Sequence, residues 1–275
     1  MLGSIASKIS LVFSGRLNAR RRTGMPTFEP SLSPGVSIVI VSFNESTRLQ
    51  ATLSSIPYGF QNIEFILVVP ASDHESIELA HSLSQSQVQV INDLGLGVYH
   101  AMNIGIKHSR FSHVLFLNTG DLITSAEVLN QCLIEIERHV NESLILPVAA
   151  SWNVEIDSAA PNLSQFLIGK KHNYISHQGV LFSRFFVEDE GNFDERYKVA
   201  ADFKQLCKLF KNGRYQHLGV KLVSIEFPKF SSRFNRRGRV ETFLIILLDL
   251  RGKIRLKSLA SRVTSEFYAA LKKLS

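Results

Sequence analysis

The chain of 275 residues has only two cysteines, Cys132 and Cys207. Each falls in a helix-like stretch and neither stands at metal-ligand spacing. That excludes a disulfide framework and a thiolate metal site, and reads as free thiols of a reducing compartment. Long apolar runs are also missing. The most apolar stretch, FLIILLDL at 243–250, has eight residues, against about 20 for a bilayer span. SIASKISLVF near the start is too short as well. Arg16, Arg20, Arg21 and Arg22 follow it, whereas a secretion signal carries its charge before the apolar run. Asn44, Asn141 and Asn162 stand in Asn-x-Ser triplets, which read as chance in a chain with no other mark of export. There is no internal repeat and no low-complexity tract.

Acid is scarce at both ends. Residues 1–24 hold five Lys/Arg and no acid, and residues 228–275 hold twelve Lys/Arg against three acids, so the middle of this +7 chain is net acidic. A nucleic-acid binder would be basic across its domain, with aromatics among the basic residues. Phe230 and Phe234 lie among arginines, but the acidic middle excludes that class. Basic ends on an acidic domain suit an anionic surface. Residues 1–33 therefore form an arm, either a weak peripheral membrane anchor or a basic tail. Residues 34–227 form the domain. Residues 228–275 form a basic and apolar helical extension, which either lies on a membrane surface or packs on the domain.

What is present is an alternation of strand and helix. Val36–Val41 is a buried strand ending at Ser42-Phe43-Asn44. A helix follows from Glu45 to Ile56, with Leu49, Leu53 and Ile56 on one face. Ile63–Val69 is a second strand, Glu75–Leu83 a helix and Val88–Ile91 a third strand. Gly95 and Gly97 make a turn, and Val98–His108 is a helix with Met102, Ile106 and Tyr99 inward. The pattern predicts a mostly parallel sheet with helices on both faces. Beyond it, Thr124 and Glu127 fit a capping box for a helix over 125–140. Leu144–Val148 reads as a strand, Tyr174–Arg184 as strand, turn, strand, Ala200–Phe210 as a helix, and Val220–Phe227 as a last strand.

VLFLNTGD at 114–121 reads as a buried parallel strand that breaks into a tight turn and leaves one carboxylate in the open. Open α/β sheets bind ligands outside the carboxyl ends of their strands. Asp121 is thus a candidate metal ligand, or a turn residue that introduces the next helix. Gly95-Leu96-Gly97 hints at a dinucleotide fingerprint, but His100 stands where its third small residue belongs, and that class is rejected.

Four stretches in order resemble the family 2 glycosyltransferases, above all bacterial members that build surface polysaccharides. They are SFN at 42–44, GVYHAMNIGI at 97–106, FLNTGD at 116–121, and HQGVLFSR with FDERYKVAADF at 177–184 and 193–203. The resemblance spans residues 36–227. It implies a GT-A-type nucleotide-binding fold and inverting transfer of a sugar from a nucleotide-sugar donor, a UDP- or GDP-sugar, to a glycan or lipid-linked acceptor. It implies a cytoplasmic enzyme, or one peripheral on the inner face of the plasma membrane. It places Mg²⁺ or Mn²⁺ on Asp121, where a hard oxygen ligand suits either ion. It makes Asp202 the general base, and a helix N-terminus favours the ionised carboxylate a base needs. Ser42, Phe43, Asn44, Asp93, Asn103 and Asn118 fall on the donor side, and His177 and Gln178 meet the diphosphate or the acceptor.

The chain departs from the family pattern on the donor side. Val69 and Pro70 stand where an acid and a glycine are expected, and Asp73 comes four places late. The acid of the family's YDAMN is His100, another is Gly95, and Asp93 is near enough to replace one of them. Either the donor is held differently or its binding has decayed. The alternative to an enzyme is a non-catalytic subunit of the same fold in a polysaccharide assembly.

Overall fold

The computed structural model describes residues 32–83, 88–141, 148–150, 177–189, 191–212, 215–217, 220–225 and 236–249. The arm over 1–31, residues 144–147, most of the 150–172 stretch, residues 226–235 and the chain beyond 249 lie outside the described residues.

Strand β1 (Ser33–Val41) is an interior strand of the sheet, third in the order β3-β2-β1-β4-β7-β6-β8. Its run Ile38-Val39-Ile40-Val41 is buried on both faces, as expected of a parallel strand covered on two sides. Strand β2 (Ile63–Pro70) pairs parallel to it on one side and β4 (Phe111–Asn118) on the other. Strand β3 (Val88–Asp93) extends the sheet beyond β2. The chain therefore runs outward through β2 and β3, then returns to lay β4 against the other side of β1. That reversal opens a crevice at the carboxyl ends of β1 and β4, the usual ligand position in such sheets.

Helices α1 (Ser46–Ser54), α2 (His74–Leu83) and α4 (Ala126–Asn141) cover one face. Leu49, Leu53, Leu129 and Ile136 pack there on Ile38, Ile40, Leu115 and Leu117. Helix α3 (Val98–His108) and helix α6 (Ala201–Asn212) cover the other face. Met102, Ile106, Leu206 and Leu209 meet Val39, Ile66, Val68, Val114 and Phe116 there. Each branched side chain so buried contributes about 1.5–3 kcal/mol, so the alternation along β1 and β4 is what holds two helix layers to one sheet. Gly105 explains why α3 can lie so close, because a Cβ at that position would stand 2.3 Å from Val39 Cγ1.

Past β4 the sheet becomes mixed. A single 3₁₀ turn, His177–Gly179, leads into β7 (Val180–Ser183), which pairs antiparallel to β4. Strand β6 (Val148–Ala150) pairs antiparallel to β7, and β8 (Tyr215–His217) parallel to β6. A separate pair joins β5 (Leu122–Ile123) to β9 (Val223–Ser224). Helix α5 (Arg184–Asp189), absent from the sequence reading, follows β7 directly.

Two expectations are corrected. The strand over 220–227 shrinks to β9 within the described residues. The cap of α4 is Ser125, whose Oγ accepts the Val128 N–H at 3.2 Å, while the Thr124 hydroxyl, just after β5, donates to the Lys221 carbonyl, with that of Leu222 at 3.2 Å, just before β9. Helix α7 (Arg236–Asp249), within the 228–275 stretch, lies against α6, with Ile245 packed on Ala200 and Phe203. Among the described residues, no helix is long and apolar enough to cross a membrane.

Candidate active site

The crevice is walled by two turns. On the β1 side, Ser42 donates its N–H to the Val68 carbonyl at 3.1 Å and stays part of the sheet edge. Phe43 is 62% exposed. Asn44 has a φ of 52°, a conformation that Asn tolerates better than most residues, and its N–H donates to Asp73 Oδ2 at 2.7 Å. Asp73 Oδ1 also accepts the Ser76 N–H at 3.2 Å, so one carboxylate caps α2 and fixes the loop after β1. Asp73, three residues beyond Pro70, is thus engaged with backbone N–H groups on both sides. Val69 itself is inside the sheet, paired with Asn92 and fully buried. Asp93, also buried, accepts the Gly95 N–H at 3.1 Å and holds its own loop.

On the β4 side, Asn118 ends the strand opposite Val41. Its N–H donates to Asp121 Oδ2 at 2.8 Å, and the Asp121 N–H returns to the Asn118 carbonyl at 3.1 Å. Gly120, at φ 91°, donates its N–H to Thr52 Oγ1 of α1 at 2.8 Å. The Thr119 hydroxyl donates to Glu45. Asp121 is only 2% exposed, which corrects the expectation of a carboxylate in the open. The turn folds back on itself because the strand's last N–H has no ladder partner and takes the carboxylate instead. Asn118 Oδ1 is buried with no hydrogen-bond partner among the described residues.

These groups bear on the expected cation. Among the described residues, no group of three or more His, Cys, Asp or Glu side chains could hold a metal ion. A self-contained protein cage is thus not present there. One carboxylate beside one orphaned amide oxygen is a hard donor pair of the kind that leaves most positions to water and phosphate oxygens, as Mg²⁺ sites do. The residues present fit the ion in that limited sense.

Asp202 lies in the first turn of α6 and is 2% exposed. His177 Nδ1 is 2.9 Å from its Oδ2, an ion pair when the imidazole is protonated, although the pair is not aligned as a hydrogen bond. The Tyr99 hydroxyl is 2.8 Å from Asp202 Oδ1 and 2.7 Å from the Val199 carbonyl, with one proton for the two acceptors. His177 and Gln178 are both buried in the turn that precedes β7, beside the end of β4. Strand β4, the start of α3, the 3₁₀ turn and the start of α6 thus converge.

The 193–200 segment leading into α6 is held from both sides. Asn103 is corrected here. Its Nδ2 donates to the Phe193 carbonyl at 2.9 Å and to Glu195 Oε1 at 2.8 Å, and its Oδ1 accepts the Phe193 N–H at 2.9 Å. That amide clamps a loop and is not turned to a donor. His100 Nδ1 meets Glu195 Oε2 at 3.0 Å, so the departure at 100 is matched by an acid across the interface. Asn103 and His100 together hold the Glu195 carboxyl below the usual carboxylate range against a partial burial. Arg196, with help from Lys204, does the same to Asp194.

From the other side comes Glu241 of α7, 7% exposed. Its Oε1 accepts the Lys198 N–H at 3.0 Å, and its Oε2 accepts those of Val199 and Ala200 at 2.8 and 3.1 Å. Arg237 Nε adds a contact at 2.9 Å. Burial pushes the Glu241 carboxyl up, but these donors outweigh it and hold it below its ordinary value. Cys132, by contrast, is buried in α4 beside Glu135, which pushes its thiol up to about 12 and keeps it protonated.

Sequence reading brought Ser42, Asn44, Asn118, Asp121, His177, Gln178 and Asp202 to this edge. It missed Glu45, Thr52, Thr119, Glu195 and Glu241, and took Tyr99 for core alone. Glu195 carried a signal, since it lies in FDERYK. Glu241 carried none, because a lone acid in a basic helix reads as solvated.

Residues 37–166 match the family model described as glycosyl transferase family 2. The chain is similar to a PGL/p-HBAD biosynthesis glycosyltransferase of Mycobacterium bovis, 28% identical over 198 residues, or 68% of this chain and 76% of that protein. It is also similar to an uncharacterized glycosyltransferase of Mycobacterium tuberculosis, 25% identical over 62% of this chain and 66% of that one. In fold it resembles S. aureus TarS residues 1–349, solved with UDP, at a TM-score of 0.61 and 16% identity over 80% of this chain and 67% of that one. It likewise resembles the mannosyltransferase PcManGT of Pyrobaculum calidifontis, solved with GDP-Man and Mn²⁺, at 0.59 and 13% over 86% of this chain and 72% of that one. The mostly parallel α/β architecture agrees with the GT-A-type expectation.

Proposed function

We propose that this chain, whose residues 37–166 match the glycosyl transferase family 2 model, is a glycosyltransferase of that family and transfers a sugar, with inversion, from a nucleotide-sugar donor to a glycan or lipid-linked acceptor. One observation carries the reading. A buried carboxylate at the start of α6, Asp202, is oriented by Tyr99 and His177 beside the end of β4, where Asn118 and Asp121 stand. The solved relatives of this fold hold UDP in one case and GDP-Man with Mn²⁺ in another, which favours a UDP- or GDP-sugar here.

In this reading the nucleotide lies in the crevice between β1 and β4. Phe43 offers an exposed ring to the base, and Ser42 and Asn44 frame it, with Asp73 holding the loop. Asp121 and the Asn118 side-chain oxygen would hold Mg²⁺ or Mn²⁺, which neutralises charge on a departing diphosphate. Asp202 takes the proton of the acceptor hydroxyl. The hydroxyl oxygen bonds to the anomeric carbon from the face opposite the diphosphate, the bond from that carbon to the diphosphate breaks, and the nucleoside diphosphate leaves. The basic stretches at 1–24 and 228–275 suit an anionic membrane that presents a lipid-linked acceptor.

The test is a panel of UDP- and GDP-sugars with Mn²⁺ and a lipid-linked acceptor in anionic vesicles. Asp202→Asn lowers turnover by about 10²–10⁴-fold and leaves a Mn²⁺-dependent thermal shift in place. Asp121→Ala loses both turnover and that shift. Turnover on vesicles falls as salt rises. A wild-type protein with neither turnover nor shift points instead to the non-catalytic subunit.

A further inference from the structure

We propose that Glu241 is a positioning residue for Asp202, so that helix α7 completes the active site from outside the segment that carries the family motifs. The inference rests on the transferase reading for its consequence in catalysis, and on geometry alone for the clamp.

Lys198, Val199 and Ala200 present three successive backbone N–H groups immediately before α6. Such a run forms a concave nest for an anion. The anion is the Glu241 carboxylate, buried and using both oxygens. The same peptide is gripped on its other side, since the Val199 carbonyl accepts from the Tyr99 hydroxyl that also meets Asp202. The Ala200 carbonyl accepts the first helical bond of α6 from Lys204 at 3.1 Å. Ile245, one turn beyond Glu241, packs on Ala200 and Phe203, either side of Asp202 in the chain. The direction of the Asp202 carboxylate is therefore set by two grips on residue 199, one from α3 and one from α7. A carboxylate is what this place needs, because it alone among side chains offers two acceptor oxygens and no donor to three converging N–H groups.

The experiment uses the full chain and compares wild type with Glu241→Gln and Glu241→Ala. Glu241→Gln keeps shape but turns an NH₂ toward backbone donors. Ile136→Val, in α4 on the opposite face of the sheet, is the control for general loss of packing. Hydrogen exchange of the 198–203 amides is expected to speed up by about 10-fold or more in both Glu241 variants, with β1 and β4 unchanged. Turnover is expected to fall by about 10- to 100-fold, with the donor KM within about 2-fold of wild type. Ile136→Val is expected to keep wild-type turnover. Unchanged exchange at 198–203 in Glu241→Gln overturns the clamp, and unchanged kcat in a variant whose exchange has risen overturns its role in catalysis. A wild type that turns over no nucleotide sugar overturns the transferase reading, and the exchange data then decide the clamp by themselves.

Discussion

Tyr99 shows how one hydroxyl can join fold and chemistry. Its ring is core, stacked on Phe193 at 5.7 Å between centroids, while its oxygen serves Asp202 and the Val199 carbonyl. Tyr99→Phe keeps the ring and removes the bridge. Stability is expected to fall by about 1–2 kcal/mol, the cost of leaving buried acceptors without a donor, read from the urea midpoint. Turnover is expected to fall more than donor affinity, because Asp202 loses a direct partner. Wild-type kcat in that variant would separate Tyr99 from the site. At this scale the sequence was legible where a residue's place in the fold follows from its neighbours. Asp121 at the end of β4 and Asp202 at the start of α6 stand where the reading put them, although an acid at either place can also serve a turn or a helix start. Asn103 misled for the same reason, since an Asn near a ligand site can spend its amide on backbone, and only the register of the 193–195 loop against α3 reveals that it does.

Among the elements, α3 lies close against the sheet at Gly105. The Gly105 position is closed by Val39, so Gly105→Ala must push α3 outward or distort β1. Overpacking of this kind costs about 1–3 kcal/mol. We expect a lower melting temperature, and lower turnover as well, because the displaced helix carries Tyr99. A variant with wild-type stability would mean that the two layers yield more easily than their contact suggests. The elements from β1 to α4, the two-residue β5 apart, were legible because of their length, a clear apolar period and a turn on either side. The later ones were not. β7 and β9 are four and two residues long, too short to show a period, and α5 begins on the residue after β7 with no turn between them. The 3₁₀ turn at His177 reads as strand because its neighbours are apolar.

Across the whole molecule, three carboxyls share one direction of shift, and two of them, Glu195 and Glu241, tie remote segments. Asp194, Glu195 and Glu241 all lie below their ordinary values in the folded chain. Each then binds fewer protons folded than unfolded where the two values differ. Stability therefore rises with pH through that window, is complete above the ordinary carboxylate values, and is lost as pH falls through the folded ones. The expected outcome is a urea midpoint that is flat from neutral pH to about 5 and declines below about 4.5. Glu241→Gln should decline less steeply over the same range. An equal slope in that variant would show that Glu241 does not contribute. Composition set residues 228–275 apart as basic and apolar and left open whether they pack on the domain; α7 does pack on α6, and the one buried acid and one isoleucine that hold it there are not visible in composition.

That late contribution gives the site an order of assembly. Chains are made from the N-terminus at about 5–20 residues per second, so Asp202 leaves the synthetic machinery roughly 2–8 s before Glu241 follows. Over that interval the crevice between β1 and β4 has all of its residues, while the nest before α6 still lacks its anion. On the proposed reading, the nascent protein has its nucleotide crevice first and its clamped base only when α7 arrives.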